Sequence, residues 1–591
     1  MIEDLLLQVN KPGRYIGQEW NTPRKDFDRA EVKFALCFPD LYEIGMSNLG
    51  MRIIYGILNN LSGVSCERFF SPDLDMEKIL RAHRLEIFSL ETKRRLREFD
   101  LVGFSLGHEL DYTNALNILE LGAVPLESAS RDQDWPLIIG GGPCALNPEP
   151  MHEFFDLFIL GEAEEAILEV VGLYQRHKAA FKAAKLSKQD LLAMFSRIEG
   201  VYAPSLYEVI YDNSGKIREF KPKAADIPAK IKKRFVRDLN TAFFPVDLLI
   251  PHIQIVHDRI ALEIMRGCPN KCRFCQARAQ YYPLRTRDAD CVLNLASDSY
   301  KSTGYEEISL AGLSVSDYSG MEKLLERLVG LFKERAVSVS LPSIKPKTYL
   351  GGLSSLIATI KKTGLTFAPE AATERMRNIL GKDFNEEDFF LAIEKAYASG
   401  YQRVKLYFMI GLPFEGQADL DAIVGFVNTV SELKKKVSRG PAQVNISINT
   451  LIPKPHTPFQ WLGMEDMNSI EDKQNYLKGQ VKKSLHRGWQ ERLKLSFHNR
   501  NLSFLEGVLS RGDRRLSRVI ACAFKKGAKF DAWENHVRFD CWQAAFLECG
   551  IDPSFYLQAR GLDEFLPWDF LDVGMDKEAL GAEFKKSVAM K

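Results

Sequence analysis

Two series of short apolar runs, most followed by a stretch of helical periodicity, constrain this 591-residue chain more than any other feature. The first series begins with VKFALCF at Val32 and continues with FDLVGFS (99–105), PLIIGGG (136–142) and DLFIL (156–160). Helical patterns follow at MSNLGMRIIYGIL, DYTNALNILE and EAEEAILEVVGLY. Apolar runs that alternate with amphipathic helices call for buried strands joined by crossovers, and so for a parallel sheet. The pattern predicts an α/β chain that opens with a doubly wound, Rossmann-like domain over residues 25–180. Ligands of such a sheet sit outside the carboxyl ends of its strands, here Asp40, Ser105, Gly140 to Gly142, Gly161 and Glu162.

The second series has six runs: IALEIMRGC (260–268), EISLAGLS (307–314), VSVSLPSI (337–344), GLTFAPEA (364–371), RVKLYFMIGLP (403–413) and VNISINTLIP (444–453). Stretches such as MEKLLERLVGLFKER and NEEDFFLAIEKAYASG between them are long enough for helices. Six units are two short of the full eight-unit barrel, which predicts a partial (β/α)6 barrel over 251–460. Residues 181–250 read as a connector with a few strands, and 461–591 as a mainly helical region rich in Trp and Phe.

Lys and Arg total 79 against 78 Asp and Glu, a net charge of +1. That balance supplies no bulk attraction to nucleic acid or membrane. No apolar run approaches the roughly 18 residues of a membrane span, and the opening MIEDLLLQVN lacks the order of a signal peptide. The expectation is a cytoplasmic protein.

Of ten cysteines, Cys268, Cys272 and Cys275 fall within GCPNKCRFCQ at the end of the first barrel strand, spaced C-x3-C-x2-C. A disulfide framework belongs to short, Cys-dense secreted chains, so the cluster reads as a metal site. Three thiolates at this spacing can hold three irons of a cubane and leave the fourth open to a small molecule. Structural zinc takes four ligands; Cys291 or a distant His could supply one, but there is no second Cys pair.

At these residues the chain resembles the radical S-adenosylmethionine (SAM) superfamily, and Phe274 matches the aromatic residue beside the adenine. The resemblance implies a [4Fe–4S] cluster whose open iron binds SAM. Reductive cleavage then gives methionine and a 5′-deoxyadenosyl radical, with electrons from a flavodoxin- or ferredoxin-like donor. Ser314 and Asp317 in LAGLSVSDY lie where the family contacts the SAM amino group. Glu370 in APEAATERMRNILGK resembles a ribose or amino-group ligand. Gly411 and Pro413 in FMIGLPFEG resemble the turn that approaches the adenine. IPKPHTPFQW (452–461) is similar to a segment of methylthiotransferase-like branches. A strand-end cap, a helix N-terminal acid, a tight turn and a rigid exit from the barrel are the plain alternatives for these stretches. Lys345 and Lys405 stay unassigned near the barrel mouth.

The N-terminal domain resembles the cobalamin-binding domain of B12-dependent radical SAM enzymes, through GEAEEA (161–166) and IIGGGPCALNPEP (138–150). The resemblance adds cobalamin as a candidate cofactor and methyl transfer to an unactivated carbon as a reaction. Domains that ligate cobalt through histidine carry Asp-x-His-x-x-Gly. None of the ten His here follows an Asp by two residues, which leaves binding without a protein ligand, or a domain that kept only the fold. Arg514, Arg515, Lys525 and Lys526 lie among aromatic residues, a combination that can grip RNA. The function expected is that of a radical SAM enzyme with an unknown substrate. The alternatives are a tRNA- or rRNA-modifying, methylthiotransferase-like enzyme and a non-catalytic, metal-stabilised binding protein.

Overall fold

The computed structural model describes residues 2–340, 365–484 and 492–590. Its N-terminal sheet has the order β2-β1-β3-β4-β5-β6. β1 (Val32–Phe38) pairs in parallel with β2 (Val64–Phe70) and β3 (Leu101–Ser105). β4 (Leu137–Gly141) and β5 (Leu157–Ile159) extend the parallel run, and β6 (Val201–Tyr202) closes the edge antiparallel. The chain reverses direction across the sheet between β1 and β3. β2 escaped the pattern reading because VSCERFF carries Glu67 and Arg68 at its centre. The structure buries the whole strand and pairs Arg68 with Glu19 at 2.7 Å and Glu91 at 2.6 Å, the condition under which a charge tolerates burial.

The connector contributes a hairpin of β7 (Tyr207–Tyr211) and β8 (Ile217–Pro222), then β9 (Ile231–Lys232). The barrel follows in two parallel groups. β10 (Ile260–Glu263), β13 (Glu307–Ala311) and β14 (Ser338–Ser340) form one. β15 (Leu365–Glu370), β16 (Arg403–Ile410), β17 (Gln443–Thr450) and β18 (Leu493–Phe497) form the other. β11 (Met265–Arg266) and β12 (Arg285–Thr286) pair at the mouth. The third expected run, 337–344, is described as far as Ser340; its remainder and Lys345 lie outside the described residues. β18 adds a seventh strand in a stretch expected to be helical. LKLSF is short and two of its five residues are exposed, so periodicity alone does not mark it. Along β16, Val404, Leu406, Phe408 and Ile410 pack against flanking helices, while Lys405 and Tyr407 alternate to the other face.

The C-terminal region joins the N-terminal core. Leu509, Val519 and Trp542 share one apolar cluster with Phe104, Leu110 and Ala115. Asn147 Nδ2 donates to Ser510 O at 3.0 Å and Gly512 O at 2.8 Å, and Ser517 Oγ donates to Pro150 O at 2.9 Å. Arg514 pairs with Glu149 across this junction, while Arg515 pairs with Asp513 and Lys526 with Glu548 within the C-terminal region. β19 (Leu571–Asp572) pairs with β9. Among the described residues, no helix is long and apolar enough to cross a membrane.

Asp531 is fully buried and accepts a hydrogen bond from Thr113 Oγ1 at 2.7 Å. Burial pushes its carboxyl up to about 6, against about 3.9 for an unfolded Asp. The folded state therefore holds this proton more tightly. Its contribution to stability is full below about pH 4 and is lost as pH rises through about 6. Asp531→Asn is expected to flatten the pH dependence of the urea midpoint across that window; a slope equal to wild type would refute this.

Candidate active site

The Cys-rich loop starts at a glycine that nothing else can replace. Gly267 has φ +91°, and a Cβ there would meet Leu284 Cα and Tyr281 O at 2.8 Å and Pro283 O at 2.9 Å. Only the absence of a side chain lets the loop fold back this tightly. Further along, Arg273 caps the carboxyl end of the helix Glu374–Leu380. Its amide donates to Leu380 O at 2.8 Å, and Nη1 donates to Asn378 O and Ile379 O at 2.7 Å each. These are carbonyls that the helix itself cannot satisfy. The loop thus rests on the segment that follows β15.

Cys268, Cys272 and Cys275 are all free and half-buried. Burial pushes Cys272 up to about 11, with Cys275, Glu370 and Cys268 adding repulsion against the nearby Lys382. Burial also raises Cys275. Sulfurs so placed stay protonated unless a cation takes up the thiolate charge, so the donor set fits a metal cluster. Asn270 Nδ2 lies 3.2 Å from Cys268 Sγ, 3.3 Å from Ser314 Oγ and 3.2 Å from Asp317 Oδ2. Ser314 Oγ donates to Asp317 Oδ2 at 2.5 Å. Glu370, at the end of β15 with φ +66°, sits 3.5 Å from Lys382 Nζ, and burial raises its carboxyl.

The three cysteines, Ser314, Asp317 and Glu370 therefore share one neighbourhood. Phe274 packs beside it, in an apolar cluster with Met409, Leu412 and Phe459. Gly411 and the half-buried Pro413 flank Leu412. Gly411 has φ +75°, its amide donates to Glu415 Oε2 at 3.0 Å, and a Cβ would lie 2.9 Å from Ile470 Cδ1. The left-handed backbone and this contact both favour glycine here. Cys291 Sγ faces Asn240 O at 3.8 Å. Sequence reading missed Asn270, which stands inside the motif, and Lys382, which carries no local signal.

Glu162 and Glu164 of GEAEEA turn out to hold the cysteine loop. Arg266, two residues before Cys268, reaches Glu162 at 2.9 Å, Glu164 at 2.7 Å and Glu263 at 2.8 Å. Arg285 grips Glu162 through both guanidinium nitrogens, at 2.8 and 2.6 Å. Burial works against ionised Glu162, yet the two arginines hold its carboxyl below the ordinary value. Lys233 Nζ donates to Ala279 O, Gln280 O and Tyr282 O at 2.6, 2.9 and 2.9 Å, and burial draws this ammonium down to about 8. Arg278 pairs with Glu583 of the helix Lys577–Val588 at 2.9 Å.

Residues 262–427 match the family model described as the radical SAM superfamily, and residues 50–204 match that described as radical SAM proteins, N-terminal. Residues 262–427 thus carry a radical SAM domain. The chain is accordingly an enzyme that works with a [4Fe–4S] cluster and SAM. The uncharacterized protein MJ0966 of Methanocaldococcus jannaschii is 29% identical over 521 residues, spanning 88% of this chain and 97% of that protein. The solved radical SAM methyltransferase TsrM of Kitasatospora setae, with cobalamin and a [4Fe–4S] cluster bound, aligns with a TM-score of 0.44 at 11% identity over 70% of this chain and 74% of that one. The cobalamin-dependent enzyme OxsB, with aqua-cobalamin and SAM bound, aligns with a TM-score of 0.46 at 14% identity over 88% and 71%.

Removing one partner of a buried ion pair costs about 3–5 kcal/mol. Glu162→Ala in this radical SAM protein is therefore expected to lower the urea-unfolding free energy by about that much and to reduce the iron retained per chain after reconstitution. Wild-type iron content with an unchanged midpoint would show that the clamp does not hold the loop.

Proposed function

We propose that Cys268, Cys272 and Cys275 bind three irons of the cluster, and that the chain abstracts a hydrogen atom from a substrate admitted at the barrel mouth. The observation that carries this is the Asn270 amide, which links Cys268 to Ser314 and Asp317 across the carboxyl ends of β10 and β13. Ser314 and Asp317 would receive the SAM amino group, with Glu370 and its partner Lys382 near Cys272. Phe274 lines the adenine side. An N–H donor on a ligand sulfur also tunes the cluster's reduction potential. When bound, the cluster and SAM supply a 5′-deoxyadenosyl radical through one-electron reductive cleavage, which calls for an external one-electron donor.

Lys405, Tyr407, Asn445 and Ser447 occupy the non-core face of β16 and β17. A wall of that composition favours a polar substrate over a lipid-like one. The chain's share of the work is to bind, orient and exclude water around a reactive cofactor. Oxygen-free, reconstituted wild type given SAM and a strong reductant is expected to release 5′-deoxyadenosine, and Cys275→Ala to release none while losing iron. An iron-replete wild type that neither binds SAM nor forms 5′-deoxyadenosine would overturn the proposal.

A further inference from the structure

The crevice where the N-terminal sheet would take a ligand lies at its switch point, between the loops that follow β1 and β3. We infer that residues 530–533 of this same chain fill that crevice and that the domain holds no cobalamin. Trp533 Nε1 donates to Asp40 Oδ1 at 3.0 Å, on the loop after β1. The Phe530 amide donates to Asn114 Oδ1 at 2.7 Å, and Asn114 Nδ2 donates to Pro39 O at 2.9 Å. Asn114, in the first turn of the helix Tyr112–Leu121 that follows β3, thus ties the loop after β1 to the inserted segment, while Thr113 of the same turn holds Asp531. Phe530 is buried at φ +51°. A bulky residue keeps that left-handed backbone only where its surroundings fix it.

The loop after β1 reads Asp40-Leu41-Tyr42-Glu43-Ile44-Gly45. It keeps the Asp and Gly of the Asp-x-His-x-x-Gly pattern and puts tyrosine where the cobalt-ligating histidine would stand. Tyr42 turns into the core: it meets the Phe70 ring edge-on at a centroid distance of 5.3 Å, and its hydroxyl donates to Glu19 Oε1 at 2.8 Å. The hydroxyl is committed and cannot ligate a metal at the sheet edge. The other strand ends are engaged as well. After β3, Glu109 pairs with Lys454 at 2.9 Å and His108 lies 3.4 Å from Glu506. After β4, Asn147 holds Ser510 and Gly512. After β5, Glu162 holds Arg266 and Arg285. The residues present do not fit a nucleotide-tailed corrin, and the domain serves as a dock for the barrel and the C-terminal region.

Full-length protein with its iron–sulfur complement restored, which also reports that it is folded, would be incubated without oxygen with excess hydroxocobalamin and desalted. The expected result is no cobalt above background and no corrin absorbance. The Phe530 amide is expected to keep the same hydrogen-exchange protection with and without hydroxocobalamin. Retention of about one cobalt per chain, or loss of protection at Phe530 on adding the corrin, would overturn the inference. Either outcome leaves 5′-deoxyadenosine formation to be judged separately, since that assay needs no cobalt.

Discussion

Glu162, with Glu164 beside it, stands between the N-terminal sheet and the cysteine loop, and Arg266 and Arg285 keep it ionised. It sits at the carboxyl end of β5 and meets Arg266 and Arg285, which bracket the loop on both sides. A carboxylate at 7% exposure is costly unless paired and hydrogen-bonded. Two guanidiniums and the Val236 amide, at 2.8 Å, meet that condition. The geometry is fork-on-fork at Arg285, which fixes direction as well as charge. The loop that gathers three cysteines is consequently aligned from outside, by a domain more than a hundred residues earlier in the chain.

The C-terminal region completes the same arrangement. It shares one apolar cluster with the N-terminal sheet, supplies Glu583 to Arg278, and hydrogen-bonds through Phe530 and Trp533 to Asn114 and Asp40. Lys454, on the segment leaving β17, meets Glu109 and Glu506 together at 2.9 Å each. Although burial opposes its charge, those two carboxylates raise the ammonium above its ordinary value. The three parts of the chain therefore meet in buried charge as well as apolar surface, and separating them would leave buried charges unpaired.

The strands were legible where burial is two-sided, because a strand covered on both faces must be an apolar run. β1 and β3 meet that condition. β2 is buried as well but is not an apolar run, and Glu67 and Arg68 find partners too distant in sequence for any local pattern to reveal. β18 is short and half-exposed, and its pairing with β17 depends on tertiary contact. The cysteine spacing was legible because ligands on one loop are a local feature. The clamp was not: sequence shows that the carboxylates of GEAEEA stand at a strand end but not what they face. Tyr42 illustrates the same limit, as its packing on Phe70 and Glu19 decides what the residue is for.

The charge around the cysteine loop follows from one requirement. The three thiolates call for nearby positive groups, yet free cations in a half-buried loop would carry their own desolvation cost. The structure pairs them instead. Arg266, Arg278 and Arg285 meet carboxylates from other domains, Lys382 meets Glu370, and Arg273 and Lys233 spend their charge on helix-end carbonyls. Each cation thereby tightens the loop while leaving little unbalanced charge around the sulfurs. Such a site is preorganised before any cofactor arrives, and the N-terminal sheet is part of its scaffold through Glu162.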